Sequence, residues 1–230
     1  MEMNAGNGTS ELIFILDRSG SMGGYEEATL NGYNEMLQKQ QALPGTARLT
    51  TVLFSDDIQV LYERIPLADV QPLTENEYVT GGCTALLDAM GSTILRIHQG
   101  QQDTPTEGRA KHIIVVIITD GYENASVEYS YKQIHDLITR QKEQYGWEFI
   151  FMGANMDAVK EARNFGIQAD RAVTYHQDLE GITMSYRDVG KCMFAMCCDR
   201  PVDSSWKADI EEYAKEKQGR NVQKQDKSKT

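Results

Sequence analysis

The stretch that decides the fold is residues 11–22, Glu-Leu-Ile-Phe-Ile-Leu-Asp-Arg-Ser-Gly-Ser-Met. Leu12 to Leu16 is an unbroken apolar run, with none of the polar alternation of a strand that has one wet face. Such runs suit strands buried on both faces of a parallel sheet. The run stops abruptly at Asp17, and small polar residues follow. Ile113 to Ile118 repeats the pattern and stops at Thr119-Asp120-Gly121.

Further strands are read on either side of these two. Arg48–Phe54 and Trp147–Gly153 are similar, Arg171–Tyr175 is a weaker last strand, and Ile58–Ile65 follows the turn Ser55-Asp56-Asp57 as the second arm of a hairpin. Helical spacing fills the intervals: Leu30/Tyr33/Leu37, Leu87/Met90/Ile94/Ile97, Ile134/Leu137/Ile138/Tyr145, Ala158/Ala162/Phe165 and Ile182/Tyr186/Val189/Met193/Met196. The order βαββαβαβαβα predicts an α/β, Rossmann-like three-layer sandwich. Its central sheet is mostly parallel with one antiparallel edge strand, and helices cover both faces.

The 230 residues suffice for one such domain. Residues 1–9 are read as an N-terminal extension, 10–200 as the domain including its C-terminal helix, and 201–230 as a polar extension, disordered from about 215. Net charge is −11, and the last sixteen residues carry six basic and two acidic side chains, so the preceding 214 sum to −15. An acidic body argues against nucleic acid or an anionic membrane as the main partner. No stretch approaches the roughly 20 apolar residues that span a bilayer. Residues 1–10 have neither the basic nor the apolar segment of an export signal, and the four cysteines read as reduced thiols, which together predict a cytoplasmic protein. Cys192, Cys197 and Cys198 lack zinc-site spacing and read as packing thiols.

In open α/β sheets, ligands bind beyond the carboxyl ends of the strands, where the order reverses. Asp17-Arg18-Ser19-Gly20-Ser21 and Asp120 both fall there. Gly81-Gly82-Cys83-Thr84 precedes the helix through Leu87, with Thr84 placed to cap it. The set offers two carboxylates and three hydroxyls. Hard oxygens in this number select Mg²⁺, Mn²⁺ or Ca²⁺ over zinc. Weakly donating hydroxyls leave such an ion electrophilic and ready for another anionic oxygen.

Asp17-x-Ser19-x-Ser21, Thr84 within GGCTALLDAM and Asp120 within ITDG resemble the metal-ion-dependent adhesion site (MIDAS) of von Willebrand factor A domains, with all five positions filled in order. The resemblance spans roughly residues 8–176. It implies direct ligation by Ser19 and Ser21, direct or water-mediated ligation by Thr84, largely water-mediated contacts from Asp17 and Asp120, and a partner Asp or Glu completing the shell. It also implies a noncatalytic protein-binding module. Without an export signal, the chain resembles the bacterial intracellular members of the family more than its adhesins; such members accompany stress-response systems, including tellurium-resistance types, or serve as adaptors to larger complexes beside AAA+ ATPases.

Around this set, Asp88 is either a hydrogen-bond partner of the 17–21 loop or a helix-surface acid. Arg18 reads as solvated. Tyr25, Tyr122, Glu123 and Asn124 form a candidate rim that reads a partner. Two other functions are open: a Mg²⁺-dependent phosphatase or phosphotransferase with Asp17 as nucleophile, and a metal-free oligomerisation scaffold. The enzyme is disfavoured because Ser19 stands where D-x-D chemistry wants a second acid.

Overall fold

The computed structural model describes residues 8–43 and 45–227. The two apolar runs become the central strands β1 (Thr9–Asp17) and β4 (His112–Thr119), paired in parallel from Ser10 opposite His112 to Leu16 opposite Ile118. β2 (Thr46–Phe54) lies parallel to β1 on its other side, and β3 (Ile58–Pro66) folds back antiparallel along the edge. β5 (Glu148–Ala154) and β6 (Ala172–Tyr175) extend the sheet beyond β4, giving the order β3-β2-β1-β4-β5-β6. This is the expected mostly parallel sheet with one antiparallel edge strand.

Side chains alternate across the sheet, and β1 feeds both cores. Leu12, Phe14 and Leu16 face the layer that contains α1 (Glu26–Gln41) and α5 (Leu179–Cys197). Ile13 and Ile15 face the layer of α2 (Leu86–Asp103), α3 (Tyr131–Tyr145) and α4 (Ala158–Asn164). A run that must satisfy two apolar environments has no room for polar alternation. In the first layer α1 and α5 touch closely: a Cβ on Gly32 would fall 2.6 Å from the Tyr186 ring. Tyr33 beside it packs edge-on against both Phe14 and Tyr186.

The C-terminal reading needs correction. Past Pro201 the chain is not an extension: a 3-10 turn (Ser204–Lys207) leads into α6 (Ala208–Lys227), with Ile210 and Ala214 buried. Lys207 is also buried, its Nζ donating to the carbonyls of Ala169 and Ala172, both 2.7 Å away. Residues 215–227, expected to be disordered, are therefore helical, and 228–230 lie outside the described residues. The N-terminal extension lies almost wholly outside the described residues, although β1 already begins at Thr9. Among the described residues no helix is long and apolar enough to cross a membrane.

Candidate functional site

β1 and β4 are neighbours, yet the helices that follow them, α1 and α3, pack on opposite layers of the sheet. The two connections diverge and leave a crevice at the carboxyl edge. Asp17 closes β1 and Asp120 follows directly on β4, so both carboxylates stand in that crevice. Asp17 is buried; its Oδ1 accepts from the Ser19 N–H at 2.7 Å and its Oδ2 from Thr119 Oγ1 at 2.6 Å. Burial pushes its carboxyl up to about 6, against the pull of the hydrogen bonds from Ser19 and Thr119.

The hydroxyls converge on the same place. Ser21 Oγ donates to Asp120 Oδ1 at 2.5 Å and lies 3.1 Å from Ser19 Oγ. Because the Ser21 proton is committed to Asp120, its lone pairs are left for another partner. Thr84 arrives from the far strap: a Cβ on Gly121 would sit 3.4 Å from Thr84 Oγ1 and 3.7 Å from Ser21 Oγ. Asp17, Ser19, Thr84 and Asp120 are buried while Ser21 is exposed, so the cluster opens to solvent on one side.

Backbone pairing lays the 78–85 strap against the 17–20 loop. Gly81 N–H donates to the Arg18 carbonyl, Gly20 N–H to the Gly82 carbonyl and Ala85 N–H to the Ser55 carbonyl. Gly82 is required there. Its φ is +77°, and a Cβ would fall 1.7 Å from Asp56 Oδ1.

Several expected roles change. Thr84 does not cap α2; Ala85 is the N-cap residue, and no side chain of its own caps it. The free N–H groups are met instead by the next loop: Asn124 Oδ1 accepts from Thr84 N–H, Glu123 Oε2 from Leu87 N–H and Ser126 Oγ from Asp88 N–H. Glu123 and Asn124 thus serve as structural partners of the start of α2. Asp88 does not reach the 17–21 loop; its carboxylate accepts from the N–H groups of Val127, Glu128 and Tyr129. Arg18 is not solvated: its side chain is 13% exposed, and its guanidinium pairs with Asp57 at 2.7 Å. Tyr25 packs partly buried against the core at the start of α1. Of the expected rim, Tyr122 is the large exposed side chain, with its hydroxyl accepting from Asp157 N–H at 3.3 Å.

Three site residues escaped the sequence reading. Thr119 bonds Asp17 as described. Gln177, past the end of β6, donates from Nε2 to Asp120 Oδ2 at 2.6 Å, and Asn155, directly past β5, donates to Gln177 Oε1. The rule that pointed to Asp17 and Asp120, polar residues just beyond strand ends, applies equally to these two. They line a cleft of about 510 Å³ with Tyr122, Asp157 and His176. Another cleft, about 410 Å³, lies at the opposite edge of the sheet between the start of β1 and the end of α5, away from this chemistry.

No group of three or more His, Cys, Asp or Glu among the described residues is placed to hold a metal ion. The cluster at the crevice has only two carboxylates, so its capacity for a cation depends on Ser19, Ser21 and Thr84. Three hydroxyls and two carboxylates, converging on one solvent-open side, fit a hard divalent cation.

The model for the von Willebrand factor type A domain matches residues 11–185. The chain belongs to that family. No curated protein sequence matches the chain. Among solved structures, this VWA chain is similar to proximal thread matrix protein 1 of the mussel byssus, with a TM-score of 0.58 and 15% identity over 83% of this chain and 46% of that one. A second structure of the mussel protein, described as having a zinc-occupied MIDAS motif, gives 0.56 and 17% over 81% and 46%. A VWA protein from Catenulispora acidiphila gives 0.54 and 17% over 80% and 42%. The chain spans less than half the length of these proteins, and at such identity the likeness is one of fold.

Proposed function

We propose that this VWA domain is a noncatalytic, divalent-cation-dependent protein-binding module. In it, Ser19, Ser21, Thr84, Asp17 and Asp120 hold Mg²⁺, Mn²⁺ or Ca²⁺ as a complete MIDAS. The observation that carries the reading is the convergence of the Ser19, Ser21 and Asp120 oxygens, with Ser21 Oγ 3.1 Å from Ser19 Oγ and 2.5 Å from Asp120 Oδ1, and with Thr84 Oγ1 over Gly121. A bound cation would supply a Lewis-acid position for an Asp or Glu carboxylate of the partner. The residues of the chain do the rest. Asp17 anchors the Ser19 turn, Asp120 orients the Ser21 proton, and the net negative charge of the chain disfavours a carboxylate that has no cation to meet. The zinc carried by the mussel relative's MIDAS supports a cation at this position without selecting which one. An adaptor role in a larger cytoplasmic complex, of the bacterial stress-response kind, belongs to the same reading.

The phosphotransferase alternative is weakened by Asp17, whose two oxygens are both engaged, and by Arg18, which is drawn away to Asp57. The test is thermal melting with Mg²⁺, Mn²⁺, Ca²⁺ or chelator on the native chain and on Asp17→Ala and Ser19→Ala, followed by pull-down in Mg²⁺ and in chelator. A cation-dependent rise in melting temperature, lost in both variants, together with Mg²⁺-dependent capture, is the expected result. Identical melts with and without every cation would sink the proposal, and capture retained by Asp17→Ala in chelator would favour the metal-free scaffold.

A further inference from the structure

We infer that Gln177 is the positioning residue that orients Asp120 for the cation, an inference that rests on the cation-dependent reading above. Gln177 lies on the loop from β6 to α5, outside the five MIDAS positions. Its Nε2 donates to Asp120 Oδ2 at 2.6 Å, while Ser21 Oγ donates to Oδ1 at 2.5 Å. Both carboxylate oxygens are therefore held, each by a different loop, and the plane of the carboxylate is fixed.

The orientation of the Gln177 amide is set by its own partner. Asn155 Nδ2 donates to Gln177 Oε1, which commits the oxygen end to Asn155 and turns the NH₂ end toward Asp120. Asn155 sits at φ +54°, a left-handed conformation that Asn tolerates better than most residues. The loop carrying Gln177 is tied down on its other side. Asp178 caps α5 by accepting from Gly181 N–H, and it also accepts from Tyr213 Oη and Lys217 Nζ of α6. The amide that reaches Asp120 thus comes from a braced loop.

The chemical consequence follows from what each oxygen does. Oδ2 is engaged by the amide from the β6–α5 side, so Oδ1, which accepts from the Ser21 hydroxyl and keeps a second lone pair, is the oxygen that Asp120 turns to the cluster. A carboxylate already fixed in that attitude loses little side-chain freedom when a cation or its water arrives. Hydrogen-bond partners behind a metal-binding side chain commonly hold 10–100-fold of metal affinity. Donation of the N–H, rather than packing of the side chain, is what the geometry requires of Gln177.

The test is titration of Mn²⁺ into the full chain, followed by electron paramagnetic resonance of the free ion. It compares the native protein with Gln177→Ala, Gln177→Met, Asn155→Ala and the Asn155→Ala/Gln177→Ala double variant. Gln177→Met keeps the length of the side chain but has no donor. Both Gln177 variants are expected to weaken Mn²⁺ binding about tenfold, Asn155→Ala less, and the double variant no more than Gln177→Ala alone. Melting in chelator separates positioning from folding: the two Gln177 variants should melt close to the native chain, and the two that carry Asn155→Ala lower, because alanine is strained at φ +54°. If the native chain binds Mn²⁺ and Gln177→Ala matches it, the inference falls while the cation reading stands. A Gln177→Met variant that binds like the native chain overturns it too, because packing then suffices. Absence of Mn²⁺ binding by the native chain overturns both.

Discussion

Thr119, the last residue of β4, donates its hydroxyl proton to Oδ2 of Asp17, the last residue of β1, at 2.6 Å. The bond ties the two central strands together where they end, and it satisfies an oxygen of a buried carboxylate. Thr119→Val keeps the branched shape and removes the donor. The variant should lose about 1–3 kcal/mol, the cost of an unsatisfied buried polar group. Urea denaturation in chelator measures this, and an unchanged midpoint would mean that Asp17 finds another partner.

Asp17 also sets a pH dependence whose sign is opposite to that of an ordinary ion-paired carboxylate. Its carboxyl is held at about 6 in the folded chain, above its ordinary 3.8, chiefly by burial. Between these two values the unfolded chain gives up the proton first, so ionising Asp17 disfavours folding. Its contribution costs nothing below about pH 4 and reaches roughly 3 kcal/mol of lost stability above pH 6. The difference between native and Asp17→Asn unfolding free energies, measured in chelator from pH 4 to pH 7.5, should trace this curve. A cation favours the ionised carboxyl, so its affinity should rise about tenfold per pH unit up to 6 and then level off.

Glu11 lies fully buried on β1 and accepts from Arg64 Nε at 2.7 Å and from Gln101 Nε2. Arg64 reaches it from an irregular stretch of β3, at φ +52°, and also donates to the Gly100 carbonyl. Glu11→Ala leaves a mostly buried guanidinium without its carboxylate and should cost about 3–5 kcal/mol. Replacing both partners, as Glu11→Leu/Arg64→Met, should recover a large part of that loss. Thermal and urea denaturation check both, and a double variant no more stable than Glu11→Ala would refute the account.

The thiols should divide sharply. Cys83 is exposed on the strap beside Thr84, whereas Cys192 is buried on α5, where burial pushes its thiol up to about 12. A disulfide reagent applied to the native chain at neutral pH should modify Cys83 within the first phase and leave Cys192 untouched until denaturant is added. Mass mapping of the labelled positions reads the order directly.

The strands were legible because β1 and β4 each serve two cores, and that demand wrote continuous apolar runs into the sequence. The candidate positions Asp17, Ser19, Ser21, Thr84 and Asp120 were legible because strand ends and helix starts fix where their loops begin. What the loops do between those points was not legible. Asp88, Glu123 and Asn124 satisfy N–H groups of neighbouring loops and of α2, roles the sequence does not spell out because hydrogen bonding depends on backbone paths that carry no periodicity. Arg18 looked solvated because its partner, Asp57, lies 39 residues away at a hairpin turn. Helix α6 was missed for a different reason. Its apolar stripe is narrow, little more than Ile210 and Ala214 among charged residues, and the basic residues that follow looked like a solvated tail.

The reciprocal lacing between α2 and the loop after β4 bears on how fast this surface can engage another molecule. Asn124, Glu123 and Ser126 hold the start of α2, and Asp88 of α2 holds residues 127–129 in return. Thr84 and Asp120 are carried on the two halves of that interlocked pair. A visitor therefore meets a finished mould instead of segments that must first take shape. Under the proposed binding role, encounter should need no ordering of these loops, and differences among visitors should appear in how long they stay.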